Sequence, residues 1–333
     1  MICSVPEQTL TKKRPEIQAN CALPRPALAE GMATHPETAV LDLMRRVWET
    51  GNERHDRTGV GTRALFGATL RFDLSDGTVP LLTTKRVFWK SAVKELLWFL
   101  SGDTSIHPLL ATGVHIWTDW PLARYRSETG HEISRDAFEA NILADAAFAA
   151  RWGDLGPVYG KQWRRWKGAD GKEHDQIAAL VESLRHNPAS RRHIFTGWNV
   201  AELAEMALPP CHMTYQYFID NRADGPGRLS GILYQRSCDL GLGFPFNIFE
   251  ASLLIRMLAD QTGLLPGELV WMGADVHLYL NHAHLVETQL SRTPRPFPRL
   301  GLRKAADIFS YRFEDFTIEG YDPHPHISAA VAV

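Results

Sequence analysis

Cysteine is scarce in this chain: four residues in 333, Cys3, Cys21, Cys211 and Cys238, none of them in a CxxC pair. Such a set makes no disulfide framework and carries no structural zinc signature, and it suits a reducing compartment, the cytoplasm. Net charge is nearly absent as well. A formal balance of −2 gives no overall pull toward nucleic acid or a membrane surface. No apolar run approaches the length of a bilayer span, and no internal repeat is visible. His277, His282, His284, His324 and His326 show no firm ligand spacing, so no metal is expected. The run Gly59-Val60-Gly61-Thr62-Arg63-Ala64 mimics a dinucleotide fingerprint, but it follows the charged stretch NERHDRT instead of a strand, which is the wrong context for that motif.

What is present is the composition of a globular enzyme, 44% hydrophobic and 22% charged, enough for a sizeable core. Residues 1–36 stand apart. They carry Pro6, Pro15, Pro24, Pro26 and Pro36 with little apolar periodicity and are expected to be a flexible extension. No apolar stretch follows Lys12-Lys13-Arg14, which argues against a secretory signal; Met1 and Met32 are both candidate starts. Val40, Leu41, Leu43, Met44, Val47 and Trp48 fall at helical spacing before Gly51. Leu70, Phe72 and Leu74 alternate as in a strand. Phe88 to Leu100 reads as an apolar helix carrying Glu95. Pro121 to Trp152, rich in Ala and charge, reads as a helical insertion on the surface. Met213 to Asp220 and Leu229 to Gln235 read as paired strands, and Phe246 to Gln261 and Leu278 to Leu290 as helices. Strands and helices mix without βαβ alternation, so the expected class is α+β, a mixed sheet packed with helices.

The stretch ALPPCHMTYQYF places Cys211 directly after two prolines. Proline fixes its own φ and lacks an N–H for a sheet ladder, and it pushes the preceding residue away from helix. The cysteine is thus held rigidly where strand pairing cannot begin. A lone cysteine is ordinarily a small buried hydrophobe, whereas an arginine beside it would lower the thiol pKa. Arg57, Arg191, Arg192 and Arg236 could converge on a phosphate dianion, for which the guanidinium fork is suited; taken singly, each is ordinarily a solvated surface charge. LYQRSCDLGLGFPFN packs Gln235, Arg236, Ser237, Asp239 and Asn247 together, and GADVHLYLNH sets His277 and Tyr279 two residues apart.

From about Val40 to Val333 the chain resembles the thymidylate synthases. The likeness rests on DRTGVGT, LLTTKR, ELLWFLSGDT, IWTDW, GDLGPVYGKQW, SRRHIFTGWN, ALPPCH, LYQRSCDLGLGFPFN, DVHLYLNH and SRTPRPFP, in family order. It implies one catalytic domain over 37–333, interrupted by the insertion at about 121–152. The implied reaction is reductive methylation of dUMP to dTMP with 5,10-methylenetetrahydrofolate, through a cysteine adduct at uracil C6. It also implies a homodimer formed through the sheet face, with Arg191 and Arg192 lent to the neighbouring site.

Residue by residue, the resemblance makes Cys211 the nucleophile. Glu95, Tyr159, His212, Asp239 and Asn247 are the other catalytic candidates. Arg57, Arg191, Arg192, Gln235, Arg236, Ser237, Cys238, Asp239, Asn247, His277, Leu278 and Tyr279 are those for dUMP. Lys85, Trp117, Trp120, Leu208, Asp239, Gly243, Phe246 and Ala332 are those for folate. Cys238 has no implied chemistry, and Phe88, at a position that varies in the family, takes no carried-over role. Ala330 replaces the usual proline of the closing tail. A pyrimidine-nucleotide hydroxymethylase would share these motifs, and an RNA-binding role through RRWKGADGK and Arg191-Arg192 would be secondary.

Overall fold

The computed structural model describes residues 35–55, 59–220 and 225–330. Arg57 and Ala332, two expected ligand contacts, lie outside the described residues, as do Cys3, Cys21 and the expected extension as far as Thr34. From His35 onward the described residues form one compact unit.

The first helix, α1 (Pro36–Thr50), starts with proline in its first turn and buries the apolar stripe Val40, Leu43, Met44 and Val47, as the spacing predicts. Strands β1 (Asn52–Arg54) and β2 (Thr62–Asp73) follow. Helix α2 (Trp89–Ser101) ends on Gly102 at φ 74°, the left-handed C-cap that glycine favours. Helices α3 (His107–Ala111), α4 (Asp119–Thr129), α5 (Arg135–Ala144) and α6 (Ala146–Trp152) come next. The last three of these cover the segment expected to be a surface insertion, and they carry buried side chains of their own. Phe138 and Ile142 are fully buried, and the rings of Tyr125, Phe138, Phe148 and Trp152 pack against one another.

After α7 (Tyr159–Arg164) come a small pair, β3 (Trp166–Lys167) and β4 (Glu173–His174), then α8 (Gln176–His186) and β5 (Ile194–Thr196). The strands β6 (His212–Asp220) and β7 (Arg228–Asp239) pair antiparallel, as expected. Helix α9 (Phe244–Thr262) is apolar nearly all round and correspondingly buried. It connects β7 to β8 (Leu265–Tyr279), which runs parallel to β7. The expected helix over Leu278 to Leu290 is shorter than the apolar spacing suggests. Leu278 and Tyr279 finish β8, and α10 spans Ala283–Leu290. Pairing of Thr62 and Arg63 with Tyr279 and Leu278 claims those residues for the sheet. The strands β9 (Arg299–Leu302) and β10 (Phe316–Glu319) make a second small pair.

Among the described residues, one six-stranded sheet of order β1-β2-β8-β7-β6-β5 carries the fold. The parallel pair β7–β8 makes it mixed, and α1 and α9 cover one face. The other face is open: Phe66 (88% exposed), Phe218 (67%) and Ile194 (45%) stand on it with Ile232 and Met272. Because β7 and β8 are parallel, their carboxyl ends emerge side by side, and these ends carry Arg236 to Asp239 and Asp275 to Tyr279. No helix among the described residues is long and apolar enough to cross a membrane.

Candidate active site

Cys211 sits immediately before β6, at a register shift between His212 and Thr214. Such bulges interrupt the ladder and re-aim side chains. Its backbone N–H donates to the Tyr159 hydroxyl (2.9 Å) and its carbonyl accepts from the Arg236 N–H (3.0 Å). The two prolines add a second function to the rigidity read from the sequence. Their carbonyls accept from the Arg236 side chain, Pro210 from Nε at 2.9 Å and Pro209 from Nη2 at 2.6 Å. That clamp sets Arg236 Nη2 3.9 Å from Cys211 Sγ, with the guanidinium 5.3 Å from the Trp198 ring centre. The cysteine is therefore half-buried beside a fixed cation.

It opens into a cavity of about 1110 Å³. The carboxyl ends of β7 and β8 line one side with Gln235, Arg236, Ser237, Asp239, His277 and Tyr279. The loop into α9 and its first turn contribute Gly243, Phe246 and Asn247. Opposite stand Glu95 from α2, Trp117 and Trp120 near the start of α4, and Tyr159 from α7, with Lys85, Leu208 and His212 completing the wall. These expected residues, scattered over nearly two hundred positions, come together. Cys238 and Leu278 do not line the cavity: both are fully buried, each on the opposite face of its strand from the lining neighbours. Arg191 and Arg192 lead into the edge strand β5, exposed and outside the lining.

The deeper wall is a chain of fixed polar groups. The Trp271 indole can only donate, and it donates to Gln235 Oε1 (2.8 Å). That leaves Gln235 Nε2 to donate to Asn247 Oδ1 (2.8 Å), so the Asn247 amide cannot flip without losing this bond. Burial pushes the His212 pKa down to about 4, with Asn247 partly opposing, so the ring is neutral. His277 Nδ1 pairs with Asp275 Oδ1 at 3.0 Å, which together with Arg54 at 2.5 Å holds the Asp275 carboxyl below its usual range. Burial raises Glu95, though Glu250 and the Trp117 indole (2.6 Å) hydrogen-bond to it and oppose the rise. Tyr159 is pushed well above its ordinary value, by burial first and then by the neighbouring Cys211.

Toward the mouth, burial lowers Lys85 to about 8, partly offset by Asp239, and its ammonium donates to the Gly241 carbonyl. Asp239 Oδ1 in turn accepts from the Gly241 and Leu242 N–H groups (2.8 and 3.2 Å), shaping the turn before α9. The loop carrying Lys85 is fastened to α1: buried Glu37 accepts from the N–H and hydroxyl of both Thr83 and Thr84. The tail crosses the mouth. The Ala330 carbonyl meets His282 Nε2 at 2.8 Å, Ala329 joins the lining, and His326 packs against Phe88 at 5.0 Å between ring centres.

Phe88 thus lines the cavity, and so do His115 and Arg135, which the sequence did not single out. Arg135 belongs to the insertion and donates to the His115 carbonyl (2.5 Å). Only the preceding Ser134, a capping residue whose hydroxyl accepts from the Ala137 N–H, marks its helix start in the sequence. A further omission is Glu250, a buried carboxyl inside α9. A single charged residue in the largely apolar FNIFEASLLI is the signal that could have found it. Among the described residues, no three His, Cys, Asp or Glu side chains cluster as a metal site would require.

The family model described as Thymidylate synthase matches residues 38–333. A thymidylate synthase of Rhizorhabdus wittichii is 69% identical over 91% of this chain and 100% of its own length. Those of Cereibacter sphaeroides (63%, over 90% and 99%) and Zymomonas mobilis (59%, over 89% and 99%) are similar too.

Proposed function

The chain belongs to the thymidylate synthase family, and from that premise we propose how its residues perform the reductive methylation of dUMP to dTMP. The observation that carries the assignment is the clamp: a half-buried cysteine 3.9 Å from an arginine that two proline carbonyls immobilise. A fixed cation favours thiolate over thiol. The Cys211 thiolate adds to uracil C6, and the C5–C6 π pair moves onto the O4 side as an enolate, leaving C5 nucleophilic. C5 then attacks the methylene of methylenetetrahydrofolate and gives up its own proton, the folate is released from the new C5–CH2 group, and hydride from the folate completes the methyl, so that the folate leaves as dihydrofolate. When the C5 substituent is complete, the C6–S bond breaks and the thiolate is regenerated.

The remaining roles are those the family resemblance implies, and the cavity lining supports those of the residues it brings together. Arg236 and Ser237 hold the phosphate, with Arg57 and, from a second copy, Arg191 and Arg192. His277 and Tyr279 take the deoxyribose hydroxyl. Asn247, its oxygen held toward Gln235, reads the N3–H and O4 edge. Glu95, with Tyr159 and neutral His212, handles protons at the base. The folate fits the other flank of the cavity. Trp117, Trp120, Leu208 and Phe246 give its rings an apolar surface, Asp239 and Gly243 lie at its edge, and buried Lys85 is suited to a carboxylate. The tail at the mouth excludes water from the reacting carbon, which favours methylation over hydroxymethylation.

The test is a pair of measurements. Incubated with dUMP and methylenetetrahydrofolate, the protein should yield dTMP by mass and dihydrofolate by absorbance. Cys211→Ser should reduce turnover at least about a thousandfold, because a hydroxyl is scarcely ionised at neutral pH, while still binding dUMP. Near-normal turnover in that variant would remove Cys211 from the mechanism.

A further inference from the structure

Behind Glu95 lies a second carboxyl that the reaction as described does not use. Glu250 is on α9 and Glu95 on α2, and the two helices pack against each other. Glu95 is 8% exposed and lines the cavity; Glu250 is 2% exposed and does not. The two carboxyls lie close enough for each to shift the other's titration. A carboxylate can only accept, so a hydrogen bond between them requires a proton on one.

The surroundings say which. Glu95 also accepts from the Trp117 indole. Glu250 Oε1, closed off from solvent, meets no donor among the described residues. The titratable groups facing the pair are Tyr159 from α7 and Tyr215 from β6, both held un-ionised by burial. No cation is among the groups that set either carboxyl. Two adjacent buried negative charges with no cation are strongly unfavourable. The proton therefore belongs on the carboxyl that has no other donor.

Resting on the reading of Glu95 as the proton-handling group at the base, we propose that Glu250 is a positioning residue for this reaction. Un-ionised at neutral pH, it donates its proton in a hydrogen bond to Glu95 and keeps Glu95 the ionised member that faces the uracil. Directions of titration agree. Burial and the Glu95 charge push Glu250 well above the usual carboxylate range, and the bond from Glu250 opposes the rise that burial imposes on Glu95. A side chain in the core of α9 thus acts on chemistry it does not touch, by fixing the charge and orientation of the one that does.

Two variants separate this from a packing role. Glu250→Gln keeps the shape and a donor but cannot titrate; Glu250→Leu keeps bulk without a donor. At neutral pH the infrared spectrum of the wild type should contain the carbonyl stretch of an un-ionised carboxylic acid that is missing in Glu250→Gln. In the pH profile of kcat, the acid limb of Glu250→Leu should move alkaline by about one unit, a tenfold change in proton concentration. The Gln variant should stay within a few tenths of a unit of the wild type, its amide still donating to Glu95. A spectrum identical in wild type and Glu250→Gln overturns the proposal, and so does a Leu variant whose acid limb coincides with that of the wild type. The infrared comparison needs no turnover, so it decides even if Glu250→Leu fails to fold. It decides equally if dUMP proves not to be the substrate, which would separately overturn the functional reading.

Discussion

Asn247 shows how far a single side chain's selectivity is decided by others. An amide can present either its oxygen or its nitrogen to a pyrimidine edge, so its discrimination between uracil and cytosine is only as good as whatever stops it from turning. Here the stop is two bonds away, at an indole that can only donate, transmitted through Gln235. Trp271→Phe keeps an aromatic ring but removes the indole N–H and part of the ring volume, leaving Gln235 Oε1 buried and unpaired. We expect a stability loss of about 1–3 kcal/mol by denaturant titration, together with a lower ratio of kcat/KM for dUMP over dCMP. An unchanged ratio would mean that Asn247 is oriented by something other than this chain. The residues in contiguous motifs were legible in the sequence because their chemistry and spacing are local. Glu250 and Trp271 were not, since their meaning comes from partners 155 and 36 positions away, and only the packing of helices and strands brings those partners in.

At the level of elements, the sequence made the periodic segments legible and left the competition between segments hidden. Phe88 to Leu100 and Phe246 to Gln261 became helices within two residues of their expected limits. The segment from Leu278 has helical spacing but loses its first residues to β8, because β2 pairs with them; long-range pairing overrides local pattern. The insertion is the reverse case. Its Ala-rich composition suggests a surface appendage, yet α4, α5 and α6 close around a ring cluster and bring Arg135 to the cavity mouth. Phe138→Ala, which empties the centre of that cluster, should destabilise the fold by about 3–5 kcal/mol, measurable as a lower denaturation midpoint. A loss below about 1 kcal/mol would show that the three helices are held by the rest of the domain and not by their own core.

At the scale of the whole molecule, the open sheet face is the feature that a lone chain leaves unexplained. Phe66 and Phe218 are exposed at 88% and 67% beside Ile232 and Met272, and monomeric proteins rarely leave such a face in water. A homodimer joined through this face would cover it. Phe66→Asp with Phe218→Asp should then give a monomer by light scattering and, because Arg191 and Arg192 would no longer reach a neighbouring site, little turnover. Mixed Arg191→Ala and Cys211→Ser chains should regain activity in heterodimers, where one site escapes both changes; a fully active monomer, or no recovery after verified subunit exchange, would contradict the arrangement. The strand order has a consequence in time as well. Arg71 on β2 and its partner Glu268 on β8 are 197 residues apart in the chain. At about 5–20 residues per second of synthesis, β2 waits roughly 10–40 s at the ribosome with its partner edge bare. β2, the strand next to the β1 edge, is thus left longest at risk of pairing wrongly, and chains arrested short of β8 should leave β2 open to protease while completed chains do not.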